Sequence, residues 1–377
     1  MQGATVSTVT VRPITTRQDE ATFIRFPWKI YTNMPAWVPP LLMDRKKLID
    51  RKKNPFYKHA EAEFFLAERD GEIVGRIGAI LNHNHNKEHN ERIGFFGFFE
   101  SVDDQQVANA LFDAARAFLA PFNITALRGP ANPSVNDEYG MLIDGYDVPP
   151  MVLMPYNPPY YNRLVEAYGF RKEKDLYAYL LNQDEVYTDR LERAAQVVRE
   201  RYNIVFRSLN MKKLNDEVAL IKEVYNSAWQ HNWGEVPMTD EEMDAMAADL
   251  KAVVVPDLVI IAEYQGNPIG FGLTLPDINM ALKYNKKGFL LPGIWHLLTK
   301  KKNINACRII ALGVKPEYLK TGAGGVLFYE TARRAKRLGY HFGEASWILE
   351  DNDAMNKSAV AMKGTITKKY RIYQMNV

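Results

Sequence analysis

Two kinds of apolar pattern alternate along this chain, short runs suited to strands and stretches with helical spacing, and they arrive in the same order twice. The first pass predicts a strand at residues 5–12, a helix at 19–31 and a basic helical piece at 41–53. Residues 62–69 and 72–81 then flank Asp70-Gly71, a strong short-range signal for a β-hairpin. A strand at 92–100, a helix at 107–119 and a strand at 125–129 follow. The stretch 130–159, rich in proline, asparagine and tyrosine, is a loop longer than a compact domain usually carries, which makes it a candidate functional segment. A helix at 160–168 stopped by Gly169 and a strand at 175–181 close the pass.

After a helix at 189–201 the order restarts. A strand at 203–209 and helices at 216–229 and 239–250 come first, the last with Thr239 and Glu242 placed for a capping box. Residues 258–264 and 269–275 pair across Gln265-Gly266-Asn267-Pro268, and an apolar run at 309–314 leads into a glycine-rich loop and a helix. A strand at 341–349, a helix near 354–363 and a strand at 368–374 end it. Residues recur at one offset of 195 positions: Arg12 and Arg207, Ala67 and Ala262, Glu68 and Glu263, Gly71 and Gly266, Gly75 and Gly270, Gly169 and Gly364. Four of these pairs fall within the hairpin, which points to an internal repeat. The expected division is residues 1–182, a connecting helix at 183–202, and residues 203–377.

Composition narrows the function. At 47% hydrophobic and 25% charged residues the chain reads as globular, and a net charge of only +3 argues against wholesale capture of nucleic acid. No run is long enough to span a bilayer and the N-terminus lacks a signal-peptide pattern, so the expected location is cytoplasmic. The single cysteine, Cys307, excludes a disulfide framework and multi-cysteine zinc sites, and is expected to be buried. His83, His85 and His89 in NHNHNKEHN lack further ligands and are expected in a solvated loop, with no metal bound.

The glycine loop carries the clearest chemistry. Gly322, Gly324 and Gly325 stand between a strand and a helix, where backbone N–H groups converge and the helix dipole favours negative charge, so the loop suits a pyrophosphate, with Lys320 as an added cation. The alternative is a plain turn that uses glycine only for positive φ. The first half has no such loop, since Phe99-Glu100-Ser101 leads almost directly into a helix. That asymmetry favours the phosphate reading.

The element order, together with Lys320-Thr321-Gly322-Ala323-Gly324 after the central strand, resembles the GCN5-related N-acetyltransferase (GNAT) family. Leu319 stands where that family carries Gln or Arg. The resemblance implies an α/β (α+β) fold of two tandem GNAT-like domains, each a mixed, mainly antiparallel twisted sheet flanked by helices. The first would be a degenerate copy that shapes the acceptor site, and the second would hold acyl-CoA without a metal. Trp37-Val38-Pro39-Pro40 and Gly129-Pro130-Ala131-Asn132-Pro133 further resemble a group that includes the bacterial ceramide synthases. That closer likeness implies transfer of a long-chain acyl group from a CoA or carrier thioester to a sphingoid-type lipid amine.

By the same resemblance, Leu312, Gly313 and Val314 would present backbone N–H groups to the thioester, and Lys320, Thr321, Gly322, Ala323, Gly324 and Gly325 would hold the phosphates. Candidate catalytic residues are Glu344, Glu350 and Asn352, with Glu344, Glu350 and Asp351 the candidate bases. Glu344 lies mid-strand, where a charge needs either a purpose or a partner. The tyrosine that family members often use as an acid has no counterpart, because Val360 stands at the nearest position; Tyr318 and Tyr329 are substitutes. Asn132, Asn136, Asp137, Glu138 and Tyr139 in the long loop are candidates to bind the acceptor, or are ordinary turn residues. The segment 289–298, opening on Phe289 and closing on Leu298, is apolar and flanked by lysines. It reads either as a peripheral membrane contact or acyl-chain element, or as a buried helix. Beside the N-acyltransferase stands a second reading, a non-catalytic sensor of acyl-CoA or a lipid amine.

Overall fold

The 195-residue offset is carried into the backbone down to its irregularities. The computed structural model describes residues 8–186, 189–229 and 232–377, so residues 5–7 of the first expected strand lie outside it. In the first half the elements are β1 (Thr10–Pro13), α1 (Arg17–Ile30), α2 (Leu42–Ile49), β2 (Ala60–Arg69), β3 (Glu72–Asn82), α3 (His83–His89), β4 (Ile93–Ser101), α4 (Gln105–Leu119), β5 (Ala126–Gly129), β6 (Ala131–Asn132), β7 (Glu138–Tyr139), β8 (Met141–Asp144), α5 (Tyr160–Tyr168) and β9 (Arg171–Asn182). Then come α6 (Gln183–Val186), α7 (Asp189–Tyr202), β10 (Ile204–Ser208), α8 (Leu214–Trp229), α9 (Asp240–Leu250), β11 (Val259–Tyr264), β12 (Asn267–Pro276), α10 (Asn279–Leu282), α11 (Leu290–Lys300), β13 (Ala306–Val314), α12 (Ala323–Arg337), β14 (Phe342–Leu349), α13 (Asp353–Ala361) and β15 (Thr365–Asn376).

Both hairpins slip register at the same place, between Ala67 and Glu68 and between Ala262 and Glu263. Both turn on two residues of positive φ, Asp70-Gly71 and Gln265-Gly266, the turn whose twist suits antiparallel strands. The second turn is therefore shorter than the four residues expected, and Pro268 is a strand residue opposite Glu263 at the bulge, where a missing N–H is tolerated. The recurring Arg and Glu are an ion pair in each copy: Arg12 reaches Glu68 at 3.8 Å and Arg207 reaches Glu263 at 2.7 Å. The recurring glycine leaves room for the helix above it. A Cβ on Gly75 would lie 2.7 Å from Leu111 Cδ1, and one on Gly270 would lie 3.2 Å from Leu327 Cδ1.

The chain forms two compact units. Unit 1 comprises Met1–Asp175, Asn285–Gly293 and Tyr370–Val377; unit 2 comprises Leu176–Tyr284 and Ile294–Lys369. The sheet of unit 1 runs β1-β2-β3-β4-β5, and the end of β15 pairs antiparallel with β5, with Tyr373 opposite Gly129 and Asn376 opposite Ala126. The sheet of unit 2 runs β10-β11-β12-β13-β14, and β9 pairs antiparallel with β14, with Leu176 opposite Leu349 and Asn182 opposite Phe342. Each half of the sequence thus donates the later part of its last strand to the other unit. A division by sequence order at 182 and 203 does not anticipate that exchange.

Local chemistry explains the elements. Asp104 caps α4, and Val107, Ala108, Leu111, Phe112, Ala115 and Leu119 form one buried face of it over β3 and β4. The expected capping box at α9 is present, with Thr239 and Glu242 bonding reciprocally. The expectation for the histidines fails too. The histidine-rich stretch is α3, capped by Asn82, and His85 is only 2% exposed, hydrogen-bonded to Glu91 at 3.0 Å. Burial drives its imidazole down to about 4, so it packs as a neutral ring against Phe95.

Candidate active site

In unit 2 the parallel strands β13 and β14 pair from Ala306 opposite Phe342 to Ile309 opposite Ala345, and there the ladder stops. β13 continues on its other side, bonded to β12 as far as Val314 opposite Gly270. Residues 310–313 are consequently half-exposed on a strand whose neighbour has turned away. At its end, Pro316–Thr321 forms a tight turn, Gly322 takes φ +83°, and α12 begins at Ala323. Thr321 Oγ1 accepts from Ala323 N at 3.2 Å, while the N–H groups of Gly324 and Gly325 lie in the first turn, where a helix supplies no carbonyl partner. A Cβ on Gly325 would meet nothing within 4 Å and Lys320 is exposed, so the turn opens to solvent. A bare strand edge leading to an open helix N-terminus suits an extended chain ending in phosphates.

The expected phosphate and thioester residues are therefore brought together: Leu312, Gly313 and Val314 on the strand, then Lys320, Thr321, Gly322, Ala323, Gly324 and Gly325 at the turn. Leu319, at the departure from the family pattern, is 61% exposed.

The expected catalytic carboxylates are placed differently. Glu344 is fully buried, accepting from Lys368 Nζ at 2.6 Å and from Ser346 Oγ at 2.9 Å. Arg308, also buried, donates to Ser346 Oγ at 3.0 Å and lies over the Trp347 ring. This is the partner a mid-strand charge requires, and it ties β14 to β15 and β13. Asn352 caps α13, accepting from Met355 N at 3.1 Å. Glu350 and Asp351 sit at the strand end, where the Glu350 carbonyl accepts from Asn356. Tyr329 is buried, Tyr318 packs against Tyr264, and Val360 is exposed. Cys307 is buried as expected.

Three residues that the sequence reading missed form a chain of contacts leading from the open strand. A Cβ on Gly313 would lie 2.4 Å from Trp229 Cζ3, so the end of α8 lays its indole directly on the bare segment. Tyr225, one turn earlier, stacks on Trp229 with ring centroids 4.7 Å apart. Glu235, half-buried, accepts a hydrogen bond from Tyr225. Desolvation raises its carboxyl from the ordinary 4.5 to about 7, against the lowering effect of the Tyr225 hydroxyl. A carboxyl whose burial raises it toward neutrality, one contact away from the strand, is a candidate to move a proton. The signal available was Trp233-Gly234-Glu235 after a helix, aromatic residues around one acid in a loop.

Unit 1 has the same strand divergence, filled. β4 and β5 pair from Ile93 opposite Ala126 to Phe95 opposite Arg128 and then separate. The chain leaving β5 turns back, and Asn132 Oδ1 accepts from Phe98 N at 2.5 Å. A Cβ on Gly97 would lie 1.7 Å from the Ala131 carbonyl oxygen. The expected acceptor residues belong to this plug. Asn132 Nδ2 donates to Glu138 at 3.2 Å, Glu138 is held by both terminal nitrogens of Arg45, and Tyr139 is buried. Asn136 lies at the loop tip, its N–H on Ser134 Oγ. Glu100, at the end of β4, is a buried carboxylate bonded to Tyr31, Tyr161 and Arg76.

No helix among the described residues is long and apolar enough to cross a membrane, and no three His, Cys, Asp or Glu among them are grouped to hold a metal.

Comparison with known proteins places this geometry. No family model matches the chain. It is similar to the protein YghO of Escherichia coli (strain K12), at 34% identity over 97% of this chain and 95% of that protein. It is similar to the bacterial ceramide synthase of Caulobacter vibrioides (strain NA1000 / CB15N), at 36% identity over 98% of each. Among solved structures, the fold matches a tandem GNAT protein from the clavulanic acid biosynthesis pathway with TM-score 0.58 and 12% identity over 98% of both chains. It also matches a GCN5-related N-acetyltransferase from Sphaerobacter thermophilus with TM-score 0.53 and 14% identity over 98% of this chain and 95% of that one. The chain has the tandem GCN5-related N-acetyltransferase fold, and it belongs to the family that includes the protein YghO of Escherichia coli and the bacterial ceramide synthase of Caulobacter vibrioides.

Proposed function

We propose that this protein transfers a long-chain acyl group from a CoA thioester to the amine of a sphingoid-type lipid, and that unit 2 performs the chemistry. The observation that carries the reading is the bare stretch of β13 running into the open first turn of α12. The name of the Caulobacter relative supplies the acceptor class. Gly322, Gly324, Gly325 and Lys320 bind the pyrophosphate, and the thioester lies along residues 312–314, where strand N–H groups stabilise the developing oxyanion.

The acceptor must lose a proton before it attacks, because a lysine-like amine is charged at neutral pH. Glu235 takes that proton, and its raised pKa makes it a base matched to the working range. The new amide C–N bond forms as the C–S bond breaks, and the second proton that the nitrogen sheds on becoming an amide passes to the thiolate, so CoA leaves as a thiol. A cytoplasmic location with a peripheral membrane contact belongs to this reading, since both substrates carry long apolar chains.

Two features favour a second reading, a sensor that binds the thioester or the amine without turnover: Leu319 at the loop and Val360 in place of a tyrosine acid, each 61% exposed. One assay separates the two. Thiol release from palmitoyl-CoA is followed with a panel of amines that includes sphinganine and 3-ketosphinganine. Amine-dependent release with a matching amide by mass spectrometry supports the transferase, whereas saturable binding of palmitoyl-CoA with no release under any amine supports the sensor.

A further inference from the structure

The insert before β13 presents a surface that neither the thioester site nor the fold uses. In α11, Leu291, Ile294, Trp295 and Leu298 recur at intervals of three and four, so they share one helix face. A soluble helix turns such a face inward. Here it points out: Leu291 is 77%, Trp295 65% and Leu298 72% exposed, with Ile294, Phe289 and Leu290 beside them also exposed.

The turn that leads into the helix, residues 285–289, is firmly seated. Trp28 Nε1 donates to the Lys286 carbonyl at 2.8 Å, Leu42 N donates to the Gly288 carbonyl at 2.9 Å, and Asn285, which is buried, donates to the Phe289 carbonyl at 2.8 Å. Gly288 takes φ +69°, and a Cβ there would lie 2.6 Å from the Pro40 carbonyl oxygen. The helix that carries the apolar face therefore starts from an anchored end.

The charge around it has one sign. From Ile278 to Pro316 the sequence carries Lys283, Lys286, Lys287, Lys300, Lys301, Lys302, Arg308 and Lys315, and no Asp or Glu. Lys286 and Lys287 precede the helix, Lys300, Lys301 and Lys302 follow it, and among the described residues no ion pair engages any of these five. An apolar strip with an exposed tryptophan, bracketed by cations, matches a layer with an apolar interior and an anionic rim.

We infer that α11 docks flat on an anionic lipid bilayer, with Leu291, Ile294, Trp295 and Leu298 below the headgroups and the bracketing lysines at the phosphates. Eleven residues span about 16 Å as a helix, which suits lying in the interface and excludes crossing it. The inference deepens the peripheral contact of the proposed function, naming the element and the lipid charge, and its test is read without turnover, so it can fail while acyl transfer stands.

The test is co-sedimentation of the full chain with vesicles of phosphatidylcholine containing phosphatidylglycerol, against phosphatidylcholine alone. The expected result is binding to the anionic vesicles that weakens as salt is raised. Trp295→Glu with Leu298→Glu should lower partitioning by about tenfold or more, and Lys300→Ser, Lys301→Ser, Lys302→Ser together by a similar factor with a shallower salt dependence. Both variants should melt close to the wild type, since Trp295, Leu298, Lys301 and Lys302 face solvent and Lys300, half-exposed over Tyr284, lies outside the core. Equal partitioning of the Trp295→Glu, Leu298→Glu variant overturns the inference, as does wild-type protein that stays in the supernatant of anionic vesicles. A wild-type dimer that this variant disperses, with no vesicle binding, would assign the face to a second copy instead and overturn it as well.

Discussion

Where its two parallel strands part, each unit makes a different use of the same geometry. In unit 1, β4 and β5 separate after Phe95, and the chain leaving β5 folds back so that Ala131 and Asn132 lie against β4. In unit 2, β13 and β14 separate after Ile309, and the chain leaving β14 enters α13 within a few residues, so nothing returns to cover the strand. The connection to the following helix differs too. Residues 102–104 join β4 to α4, whereas residues 315–322 join β13 to α12 with room for a glycine turn. The comparison shows how a duplicated cleft can be retired without losing a strand. Its own backbone fills it, and the phosphate turn is shortened away.

The largest expected effect tests the plug. Gly97→Ala puts a Cβ 1.7 Å from the Ala131 carbonyl oxygen, so it should lower stability by about 4 kcal/mol or prevent folding. Denaturant melts decide it, and a wild-type midpoint would mean that the loop moves aside and the first cleft can open.

On the open side, Glu235→Gln should reduce acyl transfer about a hundredfold at slightly alkaline pH while leaving thioester affinity within a factor of about two. Wild-type kcat/KM should rise through a pH near 7 as the carboxyl ionises, and the variant should show no such limb. Stability moves the opposite way. The folded-state pKa lies above the unfolded value, so ionisation disfavours the fold, and unfolding free energy should fall by about 3 kcal/mol as pH rises from 4.5 through 7. Glu235→Gln should flatten that slope in chemical melts.

Gly322→Val combines strain at φ +83° with a Cβ 3.2 Å from Val198, and should weaken CoA thioester binding about tenfold by calorimetry. The corresponding Gly325→Ala, whose Cβ meets open space, should leave stability unchanged and so separates loss of backbone geometry from loss of fold. Smallest is Lys320→Ala. An exposed cation near a phosphate contributes little, so affinity should fall about threefold at low salt and not measurably at high salt.

Much of this contrast was legible in the residues. Alternation, turn chemistry and the capping box located the elements, because those signals act over a few neighbours. The repeat offset reached further, and the shared bulge and the Arg–Glu pair explain why those particular residues persisted. What stayed hidden depends on distant contacts. Glu344 reads as a base until Lys368 is seen beside it, and Glu235 reads as a loop acid until α8 sets Tyr225 against it and Trp229 on Gly313. The histidines of α3 look solvated because nothing local reports that His85 turns inward. The segment 289–298 has one composition for two fates, and only its surroundings decide that its face is bare.

The exchange of final strands has a consequence for how such a gene can change. β5 is completed by residues from the far end of the chain, and β14 by residues encoded before the second copy begins. A break in the reading frame between the copies would leave two polypeptides that must find each other to be whole. Once that crossing was established, the repeat could diverge in sequence and in chemistry, but neither copy could be inherited, shuffled or lost alone.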